Sequence, residues 1–154
     1  MFTYTLVIAS MLWICSALTC HRRGDSPSPY KPSVNDCFSL SGDISRKPDA
    51  DLIQLFSTRD LRPTKFEHVD LPYKTHYDTC YLEIYPSGRP YFDLASWNQI
   101  SQAINVTIEG CLTGSSPPFV HGMGGRNIAG DNNWLNVEVS GRYAGFLVAR
   151  HEQY

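Results

Sequence analysis

Cys20, Cys37, Cys80 and Cys111 constrain this 154-residue chain more than any other feature. The last three lie 43 and 31 positions apart, and no Cys-x-x-Cys occurs anywhere. Zinc and iron–sulfur sites show closely paired ligands, so neither a metal nor a cofactor is expected. Widely spaced cysteines fit disulfides that close long loops and brace a core of limited size. Four cysteines allow three pairings, and spacing alone does not choose among them.

The fifth cysteine, Cys15, falls in a different kind of sequence. Residues 1–20 carry no Asp, Glu, Lys or Arg, and Leu6 to Ile14 is a continuous apolar run. Nine residues at 1.5 Å each are too short to cross a bilayer but suit the apolar region of a secretory signal. Small residues follow at Ser16, Ala17 and Thr19, although no Lys or Arg precedes the run. A cut after Ala17 or Thr19 leaves an even number of cysteines, whereas a cut after Cys20 strands one thiol. We therefore expect a signal peptide over 1–19, export to the extracellular space, and no stable membrane anchor. Arg22-Arg23 is a dibasic pair of the type cut by secretory processing proteases.

Residues 20–35 hold three prolines and little apolar pattern, and read as a flexible arm. A single disulfide-braced domain is expected over 36–154. Pro48 followed by Asp49 and Asp51 suggests a short helix over 48–58, with Leu52, Ile53 and Phe56 on one face. Glu67 to Leu71 and Asp78 to Tyr85 read as strands; in the second, Cys80, Leu82 and Ile84 alternate with Tyr81, Glu83 and Tyr85. Ser96 to Cys111 is the clearest helix. It opens on a Ser-x-x-Gln capping box and carries Trp97, Ile100, Ile104, Ile108 and Cys111 as one stripe. Residues 113–133 read as loop, Leu135 to Val139 as a strand, and Tyr143 to Ala149 as another. This order implies an α+β two-layer sandwich, with two helices packed on one face of a mainly antiparallel sheet of about four strands.

Candidate motifs are few. Asn105-Val106-Thr107 is an N-glycosylation sequon whose Asn105 lies to one side of the apolar stripe. Arg23-Gly24-Asp25 matches an adhesive tripeptide, but a cut after Arg23 would destroy it. Arg59 to Arg62 fits an R-x-L-R translocation pattern and equally a basic helix end. Gly122 to Arg126 lacks the Lys-Ser/Thr of a phosphate loop and reads as flexible loop. Acid–base chemistry would have to come from His68, His76, His121, Glu67, Glu83 and Arg126. Small microbial ribonucleases use such a set on a curved sheet, and that reading requires His76 or His68 near Glu83 and Arg126.

With a net charge of −2, no strong attraction to nucleic acid is expected. The leader, Cys37, the Cys80-Tyr-Leu-Glu-Ile84 strand, the Ser96–Cys111 helix, Gly124-Gly125 and Val137-Glu-Val139 together resemble small secreted cysteine-containing proteins of filamentous fungi. These include effector candidates with a killer-toxin-like α/β sandwich. The resemblance implies a monomeric, non-enzymatic protein that binds a macromolecule of a host or a competing microbe. A small secreted hydrolase or ribonuclease is the alternative, and an adhesive extracellular module the second.

Overall fold

A computed structural model of the chain describes residues 18–24, 26–58, 65–88, 91–114 and 122–142. The leader up to residue 17, Asp25, the Arg59–Arg62 motif, His121 and the strand expected over Tyr143–Ala149 lie outside them. The α+β class holds, with two helices and two sheets. The main sheet has five antiparallel strands rather than about four. They are β1 (Thr19–Cys20), β4 (Tyr73–Tyr77), β5 (Cys80–Pro86), β7 (Gly124–Ala129) and β8 (Leu135–Ser140), in the order β1-β7-β8-β5-β4. A second, mixed sheet in the order β3-β2-β6 is built from β2 (Gln54–Ser57), β3 (His68–Asp70) and β6 (Phe92–Ala95). The helices are α1 (Val34–Ser45) and α2 (Trp97–Thr107).

Both helices bury their apolar stripes in one core with the inward residues of the main sheet. Cys37, Leu40 and Ile44 of α1 and Trp97, Ile100 and Ile104 of α2 meet Leu82, Ile84, Val137 and Val139. The capping box forms as expected: Ser96 Oγ accepts from Gln99 N–H at 3.2 Å, and Gln99 Oε1 accepts from Ser96 N–H at 2.8 Å. Beyond Thr107 the helix widens into a π-turn, Ile108–Leu112, which carries the fully buried Cys111. The helices touch through small residues, Ser41 Oγ and Ser101 Oγ lying 2.8 Å apart. Lys47 Nζ sits 4.6 Å from the Trp97 ring centre and 5.3 Å from that of Tyr73, covering the core where α2 begins.

Three expectations are corrected. No helix spans 48–58. Pro48 to Leu52 is a turn, and Gln54–Ser57 is a strand buried along its whole length. Strands covered on both faces lose their alternation, so Gln54–Ser57 carries no period-2 signal that marks it as a strand. Its supposed helical face is split, because Leu52 is 58% exposed while Phe56 is fully buried. The helix in this region is instead α1, capped by Ser33 Oγ accepting from Asp36 N–H and starting inside the stretch expected to be an arm. Further along this stretch Ser28 is buried and its hydroxyl donates to Arg142 O, while Arg22–Gly24 and Pro29–Lys31 are exposed. Finally, part of the glycine-rich 113–133 stretch forms β7.

The pairing of the cysteines is settled as Cys20–Cys111 and Cys37–Cys80. The first ties edge strand β1 to the end of α2; the second ties α1 to β5. Gly125 makes the first bridge possible. A Cβ there would stand 2.6 Å from Cys111 Sγ and 2.8 Å from Thr19 O. Gly125→Val is expected to cost about 1–3 kcal/mol through overpacking, read as a lowered thermal midpoint. An unchanged midpoint would mean that β1 does not sit against β7 in solution.

Candidate functional site

Period-2 alternation sends one side chain of every pair to the face of the main sheet opposite the helices. The strand register sets Thr19, Arg126, Glu138, Glu83 and Lys74 opposite one another in a single row across all five strands. Glu83 and Glu138 are direct cross-strand neighbours, and like charges so placed repel. The cations Lys74 and Arg126 at the two sides offset the repulsion. Lys74 Nζ lies 3.0 Å from Glu83 Oε1, while Glu138 is flanked by Arg126 and by His21, which follows β1.

Glu138 is the centre of this arrangement. His21 Nε2 lies 3.1 Å from Glu138 Oε1, an ion-pair distance, although the ring N–H is not aimed to make a regular hydrogen bond. The Tyr85 hydroxyl donates to Glu138 Oε2 at 2.7 Å. Nearness of His21 holds the Glu138 carboxyl below its ordinary 4.5; burial opposes this, and Tyr85 and Arg126 add to it. Tyr85 is pushed above its ordinary 10.0, first by burial and then by its bond to Glu138, with Arg126 acting against both. A carboxylate with a lowered folded-state pKa contributes stability above its unfolded value and loses it as pH falls through the folded one. Glu138→Gln is therefore expected to flatten the loss of stability on acidification below about pH 4.5. Thermal melts of both proteins from neutral to acid pH check this. Parallel curves would show that Glu138 is no more stabilised in the fold than in the unfolded chain.

Beside the row, Pro27, Lys74, Tyr81, Leu82, Glu83, Tyr85, Glu138 and Ser140 line a cleft of about 320 Å³. That is the lower end of the range for small-ligand sites. Pro27 belongs to the segment laid over the sheet, so the supposed arm forms one wall. His76 of β4 stacks on Tyr81 of β5, ring centres 5.0 Å apart, and sits one pair further along the same face.

The candidate acid–base residues are thus only partly brought together. Glu83 and Arg126 share the row but are separated by β8 and its Glu138. His76 shares their face. His68 belongs to β3 of the other sheet, and Glu67 just before it accepts from Gln54 Nε2 at 3.2 Å. His68 Nε2 is 2.6 Å from Ser57 Oγ, and its Nδ1 is 3.4 Å from Asp70 Oδ1. That chain has the order of a nucleophile, base and orienting acid, but Ser57 is fully buried and its hydroxyl is closed to substrate. Sequence reasoning missed His21, Glu138 and Lys74 as site residues. The alternation in β5 and β8 points Tyr85 and Glu138 outward; His21 has no such signal, because its place depends on the Cys20–Cys111 bridge.

Asn105 is half-buried on α2, its side-chain oxygen enclosed without a hydrogen-bond partner. The Thr107 hydroxyl of the same sequon is buried and donates to Ala103 O at 2.9 Å. Among the described residues no group of three or more His, Cys, Asp or Glu is placed to hold a metal ion. None of the described helices is long and apolar enough to cross a membrane. Compared with protein-family models, curated proteins and solved structures, the chain matches none.

Proposed function

We propose that this chain is an exported, effector-like or toxin-like protein that acts by binding a macromolecule of a host or competitor through the outer face of its main sheet. The observation that carries this is the row Arg126, Glu138, Glu83 and Lys74 beside a cleft, displayed on a sheet whose other face is closed by the helices. Two disulfides joining distant parts of a small core favour an oxidising compartment, hence export and an extracellular site of action. The fungal origin, the killer-toxin-like sandwich and a monomeric state belong to the same proposal. A glycan on Asn105 would be added before α2 forms, since the folded sequon is half-enclosed.

Binding is favoured over catalysis by the state of Glu138. An efficient general base has a pKa near the working pH, and the surroundings of Glu138 move it the other way. One observation supports the hydrolase alternative: His21, Glu138, Tyr85 and Arg126 together could supply proton transfer and phosphate stabilisation. The experiment compares Lys74→Glu and Tyr81→Ala with Gln102→Ala, an exposed change on α2, in toxicity or growth-inhibition assays against candidate hosts and competitors. Loss of effect in the sheet-face variants alone supports the proposal. Equal effects in all three overturn it. RNA cleavage by the wild type that Arg126→Ala abolishes would replace it with the ribonuclease.

A further inference from the structure

We propose that the Arg23–Gly24 peptide bond is a processing site, and that the processed protein is a two-chain molecule in which the segment ending at Arg23 is retained by the Cys20–Cys111 disulfide. The proposal rests on the export reading, because a protease specific for paired basic residues belongs to the secretory route.

Arg22, Arg23 and Gly24 are all exposed. Gly24 turns the chain with φ +107°, and a Cβ built on it meets nothing within 4 Å. Exposed loop tips are the preferred sites of proteolytic nicking. On both sides of the turn the chain is held. Upstream, Cys20 pairs with Gly125 and is bridged to Cys111; His21 N–H donates to Gly124 O, and His21 O accepts from Met123 N–H, both at 3.0 Å. Downstream, Ser28 is buried against Arg142 O. Cleavage therefore opens a turn between two anchored segments without removing a core contact.

Hydrolysis is balanced by one water. The Arg23 carbonyl carbon gains the hydroxyl and becomes a carboxylate, the C–N bond breaks, and Gly24 nitrogen takes up protons as the new terminal ammonium. The short segment Cys20–Arg23 would not stay bound by its backbone bonds alone. The disulfide makes its pairing with β7 intramolecular, which keeps the local concentration of the segment high. His21 thus remains beside Glu138 after the cut, and the Arg23-Gly24-Asp25 tripeptide is severed.

The test is intact mass, with and without reductant, of protein collected from the medium of a secreting host that carries a protease for paired basic residues. The expected unreduced mass exceeds that of the uncut chain by one water. Reduction then gives a chain beginning at Gly24 and a short peptide ending at Arg23, and Arg22→Ala/Arg23→Ala stays whole on reduction. A wild-type chain that stays whole on reduction overturns the proposal. So does a Gly24-terminated chain that carries no peptide before reduction. If the protein does not reach the medium, the export reading fails by itself. Digestion of the purified oxidised protein with the same protease then decides the processing question by the same mass criteria.

Discussion

Replacing Cys20 and Cys111 together by serine in the uncut chain is expected to destabilise the protein by about 4–5 kcal/mol. The bridge spans 91 positions, and the chain entropy it removes from the unfolded state grows with loop length. The 43-position bridge between Cys37 and Cys80 is expected to contribute about 4 kcal/mol on the same basis. For a chain of this size the first loss corresponds to a fall of roughly 10–20 °C in the thermal midpoint. It also frees β1 from the sheet edge, so the environment of His21 should change by NMR while the α1 signals stay in place. A fall of only a few degrees with an unmoved His21 would show that strand pairing alone holds the N-terminal segment.

Asp93→Ala is expected to cost about 3–5 kcal/mol, because it removes a fully buried carboxylate and leaves several part-buried donors without their acceptor. The Asp93 side chain is fully buried in β6. It accepts from the backbone N–H groups of Leu94 (2.8 Å), Asn132 (3.2 Å) and Trp134 (2.9 Å), and from Asn132 Nδ2 at 2.9 Å. The turn between β7 and β8 is thereby folded onto the second sheet. Gly130 completes the contact: its φ is +92°, and a Cβ there would lie 2.3 Å from Asp93 Oδ2. Asp93→Asn keeps the shape but turns an amide N–H toward donors, so it should recover only part of the loss. Chemical denaturation of the three proteins checks the order; equal stability of wild type and Asp93→Ala would show that water replaces the carboxylate without cost.

The elements legible in the sequence were those with an unbroken local pattern. Helix α2 announces itself through its cap and stripe, and β5 and β8 through alternation with one face buried. Helix α1 has the same spacing in Cys37, Leu40 and Ile44, but Ser39, Ser41 and Gly42 dilute it; Ser41 is explained only by its close contact with Ser101 of α2. Strand β7 is hidden by Gly124 and Gly125, residues required by neighbours distant in sequence, Val139 O and Cys111 Sγ. The candidate face is legible to the same degree. Glu83 was visible as an outward residue of a strand and Arg126 only as a cation in an expected loop, whereas the juxtaposition of Glu138 with His21 depends on a disulfide pairing that sequence left open among three.

The cross-sheet row of cation, two carboxylates and cation has a kinetic meaning for whatever docks there. Opposite signs a strand apart cancel within a few ångströms, so little potential extends past the ionic atmosphere. Encounter would then proceed at an ordinary diffusive rate that added salt scarcely alters. Discrimination would be exerted late, at contact, where a misaligned partner meets a repelling charge and departs quickly.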